Sequence, residues 1–467
     1  MNPTVSRTLL ALGLTSLFLG CGGSQEAPPR PLQTPRVQKG SLVRVHPQET
    51  TNLIELRRRW RQTARRLPSV PLGTLQADAR AEDLGALAGW VASHGIEYTS
   101  TDDQDRDRVY SGRVFLPTFW RRGPHQVPLV VYVHGTEIER DAVPFFIRGS
   151  EAVLGALTAY SAGFVVAMPD LPGMGLDRSH RPHHYCHAKA LAHCVLDMVR
   201  PAVKSLDGTG LAWNGQLFLV GYSEGGYAAM AAVRELQTHP EYRDLRLTGS
   251  ACMSGPFDLS GSIRSLLSED SGPFSRPYIQ SYLMHAFHDL YPDSDHFHPE
   301  RAFHPRLLEH RSTGALDDGD IRQWLNGNLD GPAITPKIAL RLKGDPQAPL
   351  TAREVLNPEW LRTHFGPGSW PDSPVGRILR ENDLVGGWVP VAPMFLAASP
   401  TDECVPSENT HKMMREWTRL GCRAPVEFYP LTTFRGAGLD HETGGFWALV
   451  KAFSWIRLGR WETPAAP

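Results

Sequence analysis

Residues 221–225, with the sequence GYSEG, place Ser223 between two glycines. They follow an apolar run at residues 217–220 and precede an alanine-rich stretch with helical spacing. A serine hydroxyl is a weak nucleophile until a base takes its proton. A sharp strand-to-helix turn projects the serine oxygen into a cleft, and it needs glycines on both sides because a side chain there would be crowded. The pattern predicts Ser223 as the nucleophile of an acyl transfer and the Glu224 N–H as one donor to the oxyanion.

A second donor turn follows an apolar run at residues 127–133. There His134 and Gly135 lead into Thr136, whose N–H we expect to face the same cleft as the serine. Two such donors form an oxyanion hole, which stabilises the negative charge that develops in the transition state by a few kcal/mol. The alternative is that this turn does no more than end the strand.

The base and its acid are expected later in the chain, in the order serine, acid, histidine. Asp402 follows a predicted strand at residues 392–398, and His441 lies in a glycine-rich loop before the last predicted helix. A neutral imidazole can accept the serine proton while a carboxylate fixes its tautomer. Glu403 and Asp440 are alternative acids, but Asp402 is favoured because it comes first after its strand.

Apolar runs alternate with helical patterns along most of the chain, which predicts right-handed crossovers and a mainly parallel sheet. The expected fold class is α/β, with a mostly parallel sheet of eight strands flanked by helices. Two antiparallel strands at residues 96–99 and 109–116 come before the parallel part, and two or three short helices are expected within residues 49–95. One long helix is expected at residues 185–204.

The chain divides into five predicted parts. Residues 1–20 form a signal peptide, 21–45 a proline-rich linker, 46–253 the first part of the core, 254–389 an insertion and 390–467 the second part of the core. An insertion of more than a hundred residues is unusual as a bare loop. We therefore expect a mainly helical cap over the site, with helical pieces at residues 278–290 and 321–326.

The first 20 residues carry one early arginine and an apolar stretch too short to span a bilayer, which is typical of an export signal. The stretch ends in FLGCGG, which resembles a bacterial lipoprotein signal with Cys21 as the acylated residue. The prediction is an exported protein of the bacterial cell envelope, attached to the outer membrane through a lipid on Cys21. An ordinary secretory signal is the alternative.

Five segments together resemble the α/β-hydrolases, and among them the secretory lipases and esterases. They are HGT at residues 134–136, PDLPGMG at 169–175, GYSEGG at 221–226, DECVP at 402–406 and Asp440–His441. The resemblance implies metal-independent acyl transfer through an acyl-serine intermediate, a small ester or lipid as substrate, and no cofactor. Thr136 stands where the HGGG esterases have a glycine, so their preference for bulky alcohols does not carry over. The serine nucleophile argues against dehalogenases and epoxide hydrolases.

Composition limits the other partners. The formal net charge is −1, and the densest basic cluster, residues 57–61, reads as the solvated face of an amphipathic helix. We therefore expect no nucleic-acid partner.

Five cysteines follow Cys21, so at least one thiol stays unpaired, and a bond between Cys404 and Cys422 remains open. The clustered histidines 180, 183, 184 and 187 lack a zinc-binding pattern, so no metal is predicted.

Two alternative functions share the predicted fold. A peptidase of the prolyl-oligopeptidase type would use the same three residues, but neither a propeller nor a carboxylate pair for an amino terminus is recognisable. A lipid-anchored binding protein on an inactive hydrolase scaffold is the second alternative. The presence of Ser223, Asp402 and His441 argues against it.

Overall fold

The computed structural model describes residues 38–52, 55, 90–117, 124–148, 150–268, 272–274, 276–292, 294–309, 334–433 and 436–462. The predicted signal peptide, Cys21, most of the linker, the basic cluster at 57–61 and the predicted helix at 321–326 lie outside these residues.

Ten strands in the described residues form one sheet. They are β1 Leu42–Val45, β2 Glu49–Asn52, β3 Trp90–Thr101, β4 Asp107–Leu116, β5 His125–Val133, β6 Val165–Pro169, β7 Leu211–Tyr222, β8 Leu247–Met253, β9 Met394–Ala398 and β10 Val426–Pro430. The order across the sheet is β1-β3-β4-β6-β5-β7-β8-β9-β10, and β2 also pairs with β3. The six strands β5 to β10 pair with one another in parallel, whereas β1 to β4 pair antiparallel, and β4 joins the parallel part by an antiparallel pairing with β6.

The mostly parallel α/β architecture is confirmed, but two details of the prediction are wrong. The sheet has ten strands in the described residues rather than eight, because β1 and β2 both pair with an extended β3. β1 falls in the stretch assigned to the linker, and β2 in the stretch expected to be helical. These are short antiparallel additions with polar or exposed residues. Hydrophobic periodicity therefore does not reveal them.

Helices cover both faces of the sheet. The longer helices of the core are α1 Ser150–Ala162, α2 Ala188–Asp197, α3 Val199–Lys204, α4 Glu224–Thr238, α12 Glu408–Arg419 and α13 His441–Arg457. The expected helix at 185–204 is divided into α2 and α3. Pro201 has no N–H to donate to the carbonyl of Asp197, where α2 ends. One hydrophobic cluster packs α2 and α4 on the sheet, and a second packs α1 and α13 on the opposite face.

The insertion is helical in its described part. Its helices are α5 Leu259–Leu266, α6 Pro277–Leu290, α7 Pro299–Ala302, α8 Pro305–Leu308, α9 Ile334–Lys343, α10 Pro358–Phe365 and α11 Pro374–Glu381. Phe287, Tyr282 and Phe274 are buried in the larger cluster together with core residues. These aromatic side chains therefore attach the insertion to the core.

None of the helices in the described residues combines the length and the hydropathy needed to cross a membrane. All five cysteines there, Cys186, Cys194, Cys252, Cys404 and Cys422, are free thiols. The possible bond between Cys404 and Cys422 is therefore not formed in this structure.

Candidate active site

The candidate residues follow strands that end at one edge of the sheet. β5 ends at Val133, β7 at Tyr222, β9 at Ala398 and β10 at Pro430. Open α/β sheets build their sites at the carboxyl ends of parallel strands. The loops that leave this edge bring three side chains into contact, although Ser223 and His441 are 218 positions apart in the chain.

Ser223 lies on a strained turn between β7 and α4. Its backbone has φ 57° and ψ −125°, a conformation that residues other than glycine rarely adopt. A Cβ at Gly221 would collide with the carbonyl oxygen of Gly225, and one at Gly225 would collide with that of Val133. The two glycines therefore allow the close approach that the turn requires, as the sequence pattern predicts.

The serine, the histidine and one carboxylate form a hydrogen-bonded series. Nε2 of His441 lies 2.8 Å from Oγ of Ser223. Nδ1 of His441 lies 2.9 and 2.8 Å from the two carboxylate oxygens of Asp402. The Asp402 side chain is fully buried, and its Oδ1 also accepts the N–H groups of Cys404 and Val405 at 3.0 and 2.8 Å. The carboxylate is held from two sides, so it can fix both the tautomer and the orientation of the imidazole.

The two alternative acids have other partners. Asp440 caps the N-terminus of α13 and accepts the N–H of Thr443 at 2.9 Å. Glu403 accepts the backbone N–H of His441 at 3.0 Å through Oε2. Of the three acids considered from sequence, Asp402 is the one whose carboxylate contacts the imidazole.

Thr136 lines the same cavity as Ser223 and His441. In the described residues, neither its N–H nor that of Glu224 donates a hydrogen bond to the protein. The neighbouring N–H of Gly135 is already used, because it donates to Oε1 of Glu151 at 2.9 Å. Two free amides are thus available where the sequence predicts the oxyanion donors.

Glu151 is a residue of the site that sequence reasoning missed. Its second oxygen accepts the hydroxyl of Tyr132 at 2.7 Å, so the carboxyl ties the turn after β5 to the first turn of α1. Burial raises the pKa of this carboxyl to about 7, although its two hydrogen bonds act in the opposite direction. A lone glutamate at the start of a helix gives no sequence signal for such a role.

Two of the clustered histidines, His183 and His187, have separate partners. His183 contacts Glu224 at 2.5 Å through Nε2 and the carbonyl of Pro172 at 2.7 Å through Nδ1. Burial lowers the pKa of His183, but the carboxylate of Glu224 outweighs it, so the pKa lies above its ordinary value. His187 caps α2 through the N–H of Ala190. In the described residues, the one group with metal-ligand atoms within 4.8 Å of one another is Asp402, Cys404 and His441, which overlaps the hydrogen-bonded series.

The cavity above Ser223 has a volume of about 290 Å³. This lies at the lower end of the ~300–1,000 Å³ typical of ligand pockets, so the space suits one small or medium-sized apolar group. Aliphatic side chains from the core and from the insertion form much of its wall. They include Ile138, Leu154, Leu259, Ile263, Leu283 and Leu449.

Comparisons with known proteins agree with this architecture. Residues 151–297 match the secretory lipase family. Over 268 residues the chain is 24% identical to Lipase 6 of Candida albicans, which covers 56% of this chain and 49% of that protein. The chain thus spans about half the length of the curated relative that it matches.

Solved structures resemble the chain over a greater length. A putative hydrolase of Legionella pneumophila matches with a TM-score of 0.66 and 19% identity, over 91% of this chain and 99% of that one. The rice cell wall degrading esterase LipA of Xanthomonas oryzae matches with a TM-score of 0.64 and 20% identity, over 90% of this chain and 97% of that one. Candida antarctica lipase A in its closed state matches with a TM-score of 0.57 and 15% identity, over 92% of this chain and 84% of that one. The protein has the α/β-hydrolase fold, and part of its sequence resembles those of secretory lipases.

Proposed function

We propose that this protein is a serine hydrolase that cleaves carboxylic esters through an acyl-serine intermediate. The observation that carries the proposal is the series from Ser223 through His441 to Asp402, with contacts of 2.8 to 2.9 Å. A nucleophile within hydrogen-bond reach of a base, itself oriented by a third group, is the arrangement that activates a hydroxyl.

In the first half-reaction, Nε2 of His441 takes the proton of Ser223 as Oγ attacks the ester carbonyl. The carbonyl oxygen becomes negative and accepts hydrogen bonds from the N–H groups of Thr136 and Glu224. The imidazolium, stabilised by Asp402, then protonates the leaving alcohol. In the second half-reaction a water molecule loses a proton to Nε2 of His441 as its oxygen attacks the carbonyl carbon of the acyl-serine. The bond from the acyl carbon to Oγ then breaks, His441 returns the proton to Oγ of Ser223, and the acid is released.

The ester class is supported by the cavity and by the relatives. The aliphatic wall suits an acyl chain or an apolar alcohol. The curated relative and two of the structural neighbours are described as lipases or an esterase. We therefore propose a small-molecule ester or lipid as the substrate, and the steps described above require neither a cofactor nor a metal. An amide substrate for the same residues is the alternative that the test must separate.

Location is part of the proposal. The N-terminal sequence and the similarity to secretory lipases support export, and Cys21 would carry the lipid that attaches the protein to the cell envelope. Metabolic labelling with a palmitate analogue, compared between the wild type and Cys21→Ala, tests this step. Equal labelling of both proteins would contradict it.

A substrate panel tests the activity. Purified protein is assayed on p-nitrophenyl esters and, in parallel, on aminoacyl and X-Pro p-nitroanilides. We expect ester hydrolysis well above amide hydrolysis. Amide hydrolysis at an equal or greater kcat/KM would favour a peptidase. A folded protein that neither turns over any substrate nor reacts with a fluorophosphonate probe would favour an inactive binding protein.

A further inference from the structure

An arginine of the insertion contacts two acids that lie next in sequence to members of the candidate triad, which is Ser223, His441 and Asp402. Nη2 of Arg276, at the start of α6, lies 2.9 Å from Oε1 of Glu442 and 3.5 Å from Oε1 of Glu403. Glu403 directly follows Asp402, and Glu442 directly follows His441. The guanidinium is partly buried, with 19% of its side chain exposed. Arg276 therefore connects the insertion to the core next to His441 and Asp402, the proposed base and its acid.

Glu403 connects Arg276 to His441, because its two carboxylate oxygens contact one residue each. While Oε1 faces Arg276, Oε2 accepts the backbone N–H of His441 at 3.0 Å. His441 is the first residue of α13, so its N–H has no acceptor within the helix. A carboxylate at this position also meets the positive end of the helix dipole. One side chain thus holds the backbone of His441 and an arginine of the insertion at the same time.

The arrangement matters because proton transfer is sensitive to small displacements. Nε2 of His441 must stay within hydrogen-bond distance of Ser223 through both half-reactions. An exposed ion pair adds little to stability by itself, but this pair fixes the rotamer of a carboxylate that holds the histidine backbone. If Arg276 moved away with the insertion, Oε1 of Glu403 would lose its contact with the guanidinium, and the carboxylate could turn to another rotamer.

We propose that Glu403 and Arg276 are positioning residues that couple the docking of the insertion to the alignment of His441. This inference rests on the proposed esterase function. Neither residue touches the reacting atoms, and each acts through the next residue in the series from Arg276 to Glu403 to His441. The triad is then best aligned when the insertion is docked.

The test compares kcat and KM on p-nitrophenyl butyrate for Glu403→Ala, Arg276→Ala, Arg276→Lys and the double alanine variant. Active-site concentration is measured by fluorophosphonate labelling carried to its end point, so kcat refers only to folded, reactive protein. The matched controls are Arg301→Ala, another arginine of the insertion with an exposed partner in Asp295, and Glu416→Ala, an acid paired with Arg419 on α12.

We expect kcat to fall about tenfold in Glu403→Ala and a few-fold in Arg276→Ala, with KM changed less than about twofold, because misalignment slows the reaction without altering substrate contacts. The double variant should be no slower than Glu403→Ala, since both changes interrupt one series. Arg276→Lys should recover part of the loss. The two controls should match the wild type.

Three results would overturn the inference. An unchanged kcat per labelled site, with a smaller labelled fraction, would show that the residues only stabilise the fold. A higher KM at constant kcat would mean that Arg276 binds substrate. Additive losses in the double variant would show that the two residues act separately. A wild-type protein that is not labelled at all would instead refute the proposed function, so the two failures are distinguishable.

Discussion

The hydroxyl of Tyr222 donates a hydrogen bond to the main-chain carbonyl of His441 at 2.7 Å. Tyr222 immediately precedes Ser223, so the residue beside the proposed nucleophile also holds the backbone of the proposed base. Together with the contact between Glu403 and the His441 N–H, this bond fixes both backbone polar groups of the histidine.

Tyr222→Phe should lower kcat several-fold and leave KM nearly unchanged, because phenylalanine keeps the packing and removes only the hydroxyl. The matched control is Tyr98→Phe, since Tyr98 is also buried and donates to a main-chain carbonyl, that of Cys194 at 2.9 Å. Each change should cost about 1 kcal/mol of unfolding free energy. Steady-state kinetics and denaturant titration check this. A similar loss of kcat in Tyr98→Phe would refute the specific role of Tyr222.

Asp402→Asn should reduce kcat by about 10³–10⁴-fold, because the amide stabilises neither the required tautomer nor the imidazolium. Asp440→Asn serves as the comparison. Asparagine caps helices about as well as aspartate, so kcat should stay within about threefold of the wild type. Comparable losses of kcat in the two variants would contradict the assignment of Asp402 as the acid that orients His441.

Asp170 gives a prediction for pH. It is fully buried, and it accepts hydrogen bonds from the Ser111 hydroxyl and the Phe145 N–H. Burial raises the pKa of its carboxyl from 3.8 to about 7. The folded protein then holds this proton more tightly than the unfolded chain does. The free energy of unfolding that protonated Asp170 contributes is therefore complete at low pH. It is lost as the pH rises from about 4 through about 7.

Asp170→Asn should remove that dependence. Wild-type stability should fall relative to the variant by up to about 1.4 kcal/mol per pH unit across this range, and the difference should be constant at higher pH. Urea titrations at a series of pH values measure it. A difference between the two proteins that does not change with pH would show that the carboxyl ionises normally in the folded state.

Ile263→Trp should shift the preferred substrate towards shorter acyl chains, because the larger side chain fills part of the cavity above Ser223. Activity on p-nitrophenyl acetate should largely remain, while kcat/KM for the octanoate ester should fall at least about tenfold. Val391→Trp is the control, since Val391 is 76% exposed. A uniform decrease across all chain lengths would indicate that the acyl group does not occupy this cavity.

Much of the arrangement around Ser223 could be predicted from sequence because its signals are local. A strand followed by a glycine-bounded serine and a helix describes one short segment, and Asp402 and His441 also follow recognisable strands. The neighbouring Glu403 could be separated from Asp402 only by geometry. Adjacent residues in a loop point in different directions, so the two carboxylates reach different atoms of the same histidine.

The contacts that sequence reasoning missed are long-range. Glu151 reaches Gly135 from the next helix, and Arg276 lies more than a hundred positions from either of its acids. Nothing in the local composition marks these residues, because charged side chains at helix starts are common on protein surfaces. The extension of the sheet by β1 and β2 was missed for a related reason, since their pairing with β3 is not encoded by alternation.

The most direct test is to locate the residue that a fluorophosphonate probe modifies, by mass spectrometry of the labelled protein. We predict a single adduct on Ser223, and loss of both labelling and ester hydrolysis in folded Ser223→Ala. Ser250→Ala, which changes a buried serine on the neighbouring strand β8, should keep both. An adduct on another residue, or hydrolysis at the wild-type rate by Ser223→Ala, would contradict the account.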